Sequence, residues 1–446
     1  DRRSSRVSMS DEERSGPLKG QLGFFALTVY GVGGMLGGGI YVLVGRVAGD
    51  AGMWTWASFL AAMVVAAPTA LAYAELGSRY PRSGGESRFV KEAFGRDHVA
   101  FLVGWTVAFS GLVSMATLAH GFAGYLRDFW PVLPAPVVVT AFLVTLAAIS
   151  VLGVRLTSRA FVIATGVALT GLVLVVIAGW FVLTGGASSA GAAPGVADTL
   201  RDIPEGLPVL GIVHGATLAF YAFIGFQDTV DMAEEAERPR RHLPAAIILS
   251  LVLVGLMYVA VSLVATAAVA PATLDRADAP LSLVVAEGLP GLPGPVFTII
   301  ALLAVGNTAL LNFVMASRLT YGMAEQELLP GWLGPVHEGR RTPHRAVVVL
   351  ALLALGFALS GSLETLAATT SLLLLAVFFL VNLSLLVIQN REGPDPDAFR
   401  VPGIVPGAGM ALSVGLAAFG ATPSVAMATA ILGVGVLIMA ILALRA

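Results

Sequence analysis

Two stretches of the chain concentrate the groups able to do chemistry. In FYAFIGFQDTVDMAEE, residues 220–235, Gln227, Asp228, Asp231, Glu234 and Glu235 crowd into one end of an apolar run. Ionisable groups inside a membrane segment face a cavity or a partner, and carboxylates there are candidates for proton carriage. Asp228 and Asp231, three apart, share a helix face. In YGVGGMLGGGIY, residues 30–41, the backbone itself is the reactive surface, with six glycines in twelve residues. Each glycine weakens a helix by about 0.8–1 kcal/mol relative to alanine, so six cost roughly 5 kcal/mol. A helix so weakened at mid-depth frees N–H and C=O groups, tolerable only where protein or a water-filled cavity covers them. Half-helix N-termini suit a carboxylate, and freed carbonyls suit an ammonium. A site made of both ends fits a zwitterion, an α-amino acid, with no charged side chain. The competing reading is close packing through the G-x-x-x-G pairs Gly33/Gly37 and Gly34/Gly38. The consecutive Gly37-Gly38-Gly39 exceeds what one packing face needs.

The elements that position these stretches follow from composition. The 446 residues are 57% hydrophobic and 12% charged, about half the charge of a soluble domain. That composition defines an integral membrane protein. The net charge of −2 implies no nucleic-acid partner, and the absence of cysteine excludes disulfides and thiolate sites. Residues 1–20 are polar, lack an apolar signal region and read as a cytoplasmic tail. Apolar runs give twelve helices at roughly 22–48, 54–77, 99–126, 133–151, 158–184, 207–235, 243–269, 294–324, 345–361, 364–389, 403–420 and 423–444. All Lys and Arg except Arg46, Arg127, Arg201 and Arg276 then fall on one side, which sets both termini in the cytoplasm. The short loops and tails point to a prokaryotic inner membrane. The two weakened stretches lie in helices 1 and 6. That spacing fits two inverted repeats, 21–190 (helices 1–5) and 205–390 (helices 6–10), each opening with a discontinuous helix. Residues 402–446 hold helices 11 and 12.

Four ordered motifs spanning residues 31–345 carry a family resemblance: GVGGMLGGGIYVLVGRVAGDAG, AYAELGSRYPRSGGE, FYAFIGFQDTVDMAEEAERPRRHLP and ASRLTYGMAEQELLP. Together they resemble the amino acid–polyamine–organocation (APC) superfamily, closest to bacterial permeases of the cationic-amino-acid-transporter type. The resemblance implies an all-α membrane fold with a five-plus-five inverted repeat and two extra helices. It implies a pocket between helices 1, 3, 6 and 8. Carried over to this chain, the helix 1 break (Gly34, Met35, Gly37, Gly38, Gly39) takes the substrate carboxylate, with the Met35 carbonyl toward the amine. Carbonyls of Tyr221, Ala222, Phe223, Ile224 and Gly225 meet the ammonium, and Tyr221 or Phe223 is the aromatic lid. Two departures stand out. Gln227 replaces a common acid, beside Asp228. Helix 5 carries no lysine, its nearest position being about Ala168, so a lysine-based coupling mechanism is not expected. H+ and Na+ both remain open as coupling ion.

The remaining polar groups divide between packing and coupling. Glu75 is an interfacial partner for Arg79 at i+4 or a coupling group. Glu234 and Glu235 are expected to pair with the loop arginines Arg238, Arg240 and Arg241. His120 and His214 are isolated. Thr308 and Asn312, four apart, either hold sodium as oxygen ligands or pack by hydrogen bonds. Arg318 reads as a snorkelling anchor. No P-loop or G-x-S-x-G motif occurs, the histidines lack metal-ligand spacing, and no firm metal site or cofactor is expected. The expected function is secondary active transport of small or apolar neutral amino acids, ion-coupled or exchanging. A polyamine, cationic amino acid or amine transporter of the same fold is the alternative. A channel and an intramembrane enzyme are the readings from other classes. Ser114 and His120, six apart, do not face each other as a catalytic pair. The oligomeric state is left open.

Overall fold

The computed structural model describes residues 22–443 except 82–84, 153–157, 185–207, 326–328, 336–341 and 394. The expected tail 1–20, the connector 185–195, and Arg155, Arg340, Arg341 and Arg445 lie outside the described residues.

Among the described residues eight stretches are long and apolar enough to cross a membrane, with four shorter apolar helices beside them. Backbone polar groups must be satisfied within each segment at that depth, which is why most of the described residues are helical. The first expected span is two short helices, α1 (Phe24–Met35) and α2 (Gly38–Ala51). A 3-10 turn at Gly52–Trp54 leads to α3 (Thr55–Arg79), and α4 (Gly85–Phe94) follows. Next come α5 (Asp97–Phe129), α6 (Ala135–Val151) and α7 (Ser158–Leu183). The sixth expected span is α8 (Val209–Phe223) plus a 3-10 segment, Gln227–Met232. The rest comprises α9 (Pro239–Ala268), α10 (Pro271–Arg276), α11 (Pro280–Gly288), α12 (Gly294–Glu325), α13 (His344–Ser360), α14 (Leu363–Glu392), α15 (Ile404–Ala417) and α16 (Thr422–Ala443). Prolines open α9, α10 and α11 in the first turn, where their missing N–H costs nothing.

The bundle centre is built where α3 packs on α9 and α5 on α12. Tyr41, Tyr73, Tyr125 and Tyr258 are fully buried there, and Tyr73 meets Phe226 and Phe378 edge-on. Both ends are tied by charge. At one end Arg46 of α2 reaches Glu364 of α14 (2.8 Å) and Asp275 of α10 (3.2 Å). At the other, Glu75 is wholly buried. It accepts from Arg79 at 2.7 and 2.9 Å, from the Gln389 amide at 2.8 Å and from the Val401 N–H at 2.8 Å. Glu75 therefore joins α3, α14 and the segment before α15, which favours the packing role over coupling. Glu75→Ala strands the buried Arg79 guanidinium and is expected to cost about 3–5 kcal/mol. Thermal unfolding of the detergent-solubilised variant checks this, and an unchanged midpoint would refute it. Among the arginines after helix 6, Arg240 pairs with Asp397 (3.5 Å) and Asp395 (3.9 Å). The sequence order hid this, because those aspartates arrive from the connector before α15.

Candidate functional site

Both weakened stretches are interrupted helices. Leu36 and Gly37 separate α1 from α2. After α8 the chain extends at Ile224 (ψ 133°) and turns at Gly225 with φ +128°, a conformation suited to glycine. The segments that carry the two breaks are joined at one end, where the Leu22 N–H donates to the Glu235 carbonyl (2.8 Å) and the Leu22 carbonyl accepts from the Glu237 N–H (3.0 Å). They then touch through glycine. A Cβ on Gly34 would lie 3.0 Å from the Gly225 oxygen, one on Gly225 2.9 Å from the Met35 nitrogen, and one on Gly39 2.7 Å from the Ala222 Cα. The same glycines thus allow the two breaks to pack backbone against backbone.

A cavity opens at this junction. The two breaks line it with Gly34, Gly39, Tyr221, Ile224, Gly225, Gln227 and Asp228. Helix α5 adds Val107, Ser110, Gly111 and Ser114, α12 adds Thr308, Asn312, Met315, Ala316 and Leu319, and α14 adds Thr370 and Leu374. Of the expected residues, Gly34, Gly39, Tyr221, Ile224, Gly225, Asp228, Thr308 and Asn312 are brought together here. Met35, Gly37, Gly38, Ala222, Phe223, Glu75 and His214 do not line it.

Each departure has a physical cause. The Tyr258 hydroxyl donates to the Met35 carbonyl (2.5 Å) and approaches the Ala222 carbonyl at 3.1 Å, and the Tyr221 and Gly225 carbonyls accept the Ile224 (3.3 Å) and Asp228 (3.2 Å) N–H groups, so four of the six oxygens expected to meet the amine are already engaged. Phe223 is fully buried with its ring 5.2 Å from that of Tyr258, which leaves Tyr221 as the aromatic at the cavity. Gly37 abuts the Thr308 side chain, and Gly38 faces Leu118 and the Val305 backbone. The Gly38 N–H donates to Thr308 Oγ1 at 3.1 Å. His214 is exposed beside Phe419, ring centroids 6.4 Å apart. His120 contacts the Ala358 carbonyl at 2.8 Å.

A polar bridge crosses the cavity wall. Asn312 Nδ2 donates to Ser114 Oγ (2.8 Å), which is 2.8 Å from the Tyr221 hydroxyl. It couples α12, α5 and α8. The Gln227 amide oxygen accepts the Gly225 N–H at 2.9 Å, which satisfies a donor the turn would leave orphaned. Asp228 is the one carboxylate in the lining; Asp231 and Glu86 are the acids whose charge reaches it. Among the described residues no group of three or more His, Asp or Glu is placed to hold a metal ion.

Tyr258 and the bridging role of Ser114 were not foreseen. A lone tyrosine in the aliphatic run LVGLMYVAVS is the available signal, because a buried phenol must find an acceptor. Glu86, on α4 outside the candidate spans, accepts from the Tyr73 hydroxyl at 2.9 Å. Burial pushes its carboxyl up, against that hydrogen bond. The folded protein therefore holds this proton more tightly than the unfolded chain, and stability falls as pH rises from the ordinary carboxylate range through the raised value. Glu86→Gln is expected to flatten that pH dependence and to be more stable than the parent at neutral pH, measured by thermal unfolding from acid to neutral buffer. An unaltered pH profile would contradict it.

A cavity at the meeting of two broken helices, inside a multi-pass helical bundle, is an arrangement that suits a membrane transporter. The amino acid permease family model matches residues 22–444, and the chain belongs to that family, within the APC superfamily. It is 29% identical over 427 residues to the branched-chain amino acid permease BcaP of Bacillus subtilis, covering 90% of this chain and 88% of that one. It is 30% identical over 420 residues to an uncharacterized transporter of Mycobacterium tuberculosis, covering 94% and 90%. It is also 31% identical over 393 residues to cationic amino acid transporter 4 of Mus musculus, covering 83% and 60%.

Proposed function

We propose that the protein is a secondary active transporter for small or apolar neutral amino acids, working by alternating access around the paired breaks. The observation that carries this is the lining itself: the two breaks contribute Gly34, Gly39 and Gly225, which bring backbone to the cavity without side chains, and Val107, Met315, Ala316, Leu319 and Leu374 contribute apolar groups. The cavity measures about 80 Å³. At roughly 10–15 Å³ of such volume per water, it holds about five to eight water-sized groups. That is the size of a compact amino acid, and the apolar wall favours an uncharged side chain. The name of the Bacillus relative, a branched-chain permease, fits the same wall.

Asp228 supports two finer roles. As the single lining carboxylate it is the proposed proton carrier for coupling, since Thr308 already takes the Gly38 N–H and donates to the Ala304 carbonyl. It is also the one feature favouring a cationic amino acid or amine as substrate. The proposed frame is twelve spans: inverted repeats over 21–190 and 205–390, two further helices, and both termini in the cytoplasm of a prokaryotic inner membrane.

Thermal-shift measurement against the common amino acids and polyamines tests the substrate class, because a binder stabilises the folded state by mass action. A shift with apolar amino acids is expected; a shift with lysine, arginine or polyamines alone would favour the cationic alternative, and none at all would refute both. Counterflow in vesicles separates carrier from channel, since preloaded substrate accelerates uptake through a carrier alone.

A further inference from the structure

We propose that Gly111 sets the largest substrate side chain the cavity admits, an inference that rests on the amino acid reading above. The glycines at the break junction are required by packing. A Cβ on Gly34, Gly39 or Gly225 would press on the backbone of the opposite break. Gly111 is different in kind. It lies inside α5, where glycine weakens a helix. A Cβ built there meets only the Asn312 carbonyl oxygen, at 3.7 Å, an ordinary van der Waals distance. Packing therefore accepts alanine at this position. The space the methyl would occupy belongs to the cavity, because Gly111 lines it.

The surroundings identify that space as the side-chain end. Val107 precedes Gly111 by one helical turn on the same face of α5, and Met315, Ala316 and Leu319 face the cavity from α12. These four are apolar and stand with Ser110 and the Asn312–Ser114 bridge, whereas Gly34, Gly39 and Gly225 present backbone without side chains from the breaks. A substrate with its charged groups on the breaks directs its side chain between α5 and α12, against the bare Gly111 backbone. A methyl at that point removes roughly one water-sized group, about 10–15 Å³ in the same measure, from a cavity of about 80 Å³. One methylene of misfit in an apolar pocket changes discrimination roughly 10- to 200-fold.

The test is direct binding of glycine, L-alanine, L-valine and L-leucine to the parent, Gly111→Ala and Val107→Ala proteins. The expected result is that Gly111→Ala shifts the leucine-to-alanine affinity ratio at least tenfold toward alanine, with a thermal midpoint equal to or above the parent's. Val107→Ala, which enlarges the same end, shifts the ratio toward leucine. A Gly111→Ala protein that folds and keeps the parent's ratio would overturn the assignment of Gly111 while leaving amino acid binding intact. A parent that binds none of the four would overturn the neutral amino acid reading itself, and this inference with it.

Discussion

Gly39→Ala is expected to weaken amino acid binding by more than tenfold and to stop transport. The added methyl would sit 2.7 Å from the Ala222 Cα and 3.1 Å from its Cβ, against backbone that cannot rotate away. Overpacking of this kind costs typically 1–3 kcal/mol, and relief requires α2 and α8 to move apart. That movement separates the N-terminal end of α2 from Ile224 and Gly225, and so spoils the geometry in which one small molecule reaches both. Gly111→Ala adds the same methyl to the same cavity without a collision, so comparing the two variants isolates the contact between breaks from loss of volume. Binding measured on monodisperse protein, with unfolding midpoints recorded alongside, decides the matter. Parent-like affinity in Gly39→Ala would show that the touching breaks do not form the site.

Tyr258→Phe is the second large effect expected. One hydroxyl serves carbonyls from both interrupted helices, Met35 at 2.5 Å and Ala222 at 3.1 Å, from a position fully buried in α9. Removing it keeps the ring, and with it the packing against Phe59 and Phe223. What is lost is the donor. A buried acceptor left unsatisfied costs about 1–3 kcal/mol, so the variant is expected to unfold at lower temperature. It is also expected to transport slowly, because the two freed ends are no longer held in register. A phenylalanine variant with parental stability and uptake would show that the hydroxyl does not position the breaks.

The sequence disclosed the glycine run and the acidic stretch because both violate local rules: helices avoid glycine, and membrane spans avoid carboxylates. It disclosed Glu75 and Arg79 as a pair because they are four apart on one helix. It did not disclose that the Met35 carbonyl is taken, since its donor lies 223 residues further on. A freed carbonyl looks available until the helix packed against it is known. Phe223 and Tyr221 were equally plausible as the cavity aromatic for the same reason: two residues apart at the end of α8, they diverge toward Tyr258 and Ser114 respectively. Gly37 and Gly38 belong to the same run as Gly39, yet Gly37 meets the Thr308 side chain and Gly38 meets Leu118 and Val305. Composition makes the three alike, and only tertiary contact separates the one that faces the cavity.

The most direct measurement is an experimentally determined structure with a bound amino acid. The substrate's charged groups are expected against the backbone between Gly34 and Gly39 and at Ile224–Gly225, with its side chain between α5 and α12. Density for the amino acid elsewhere in the bundle, with both breaks empty or wound into continuous helix, would contradict it.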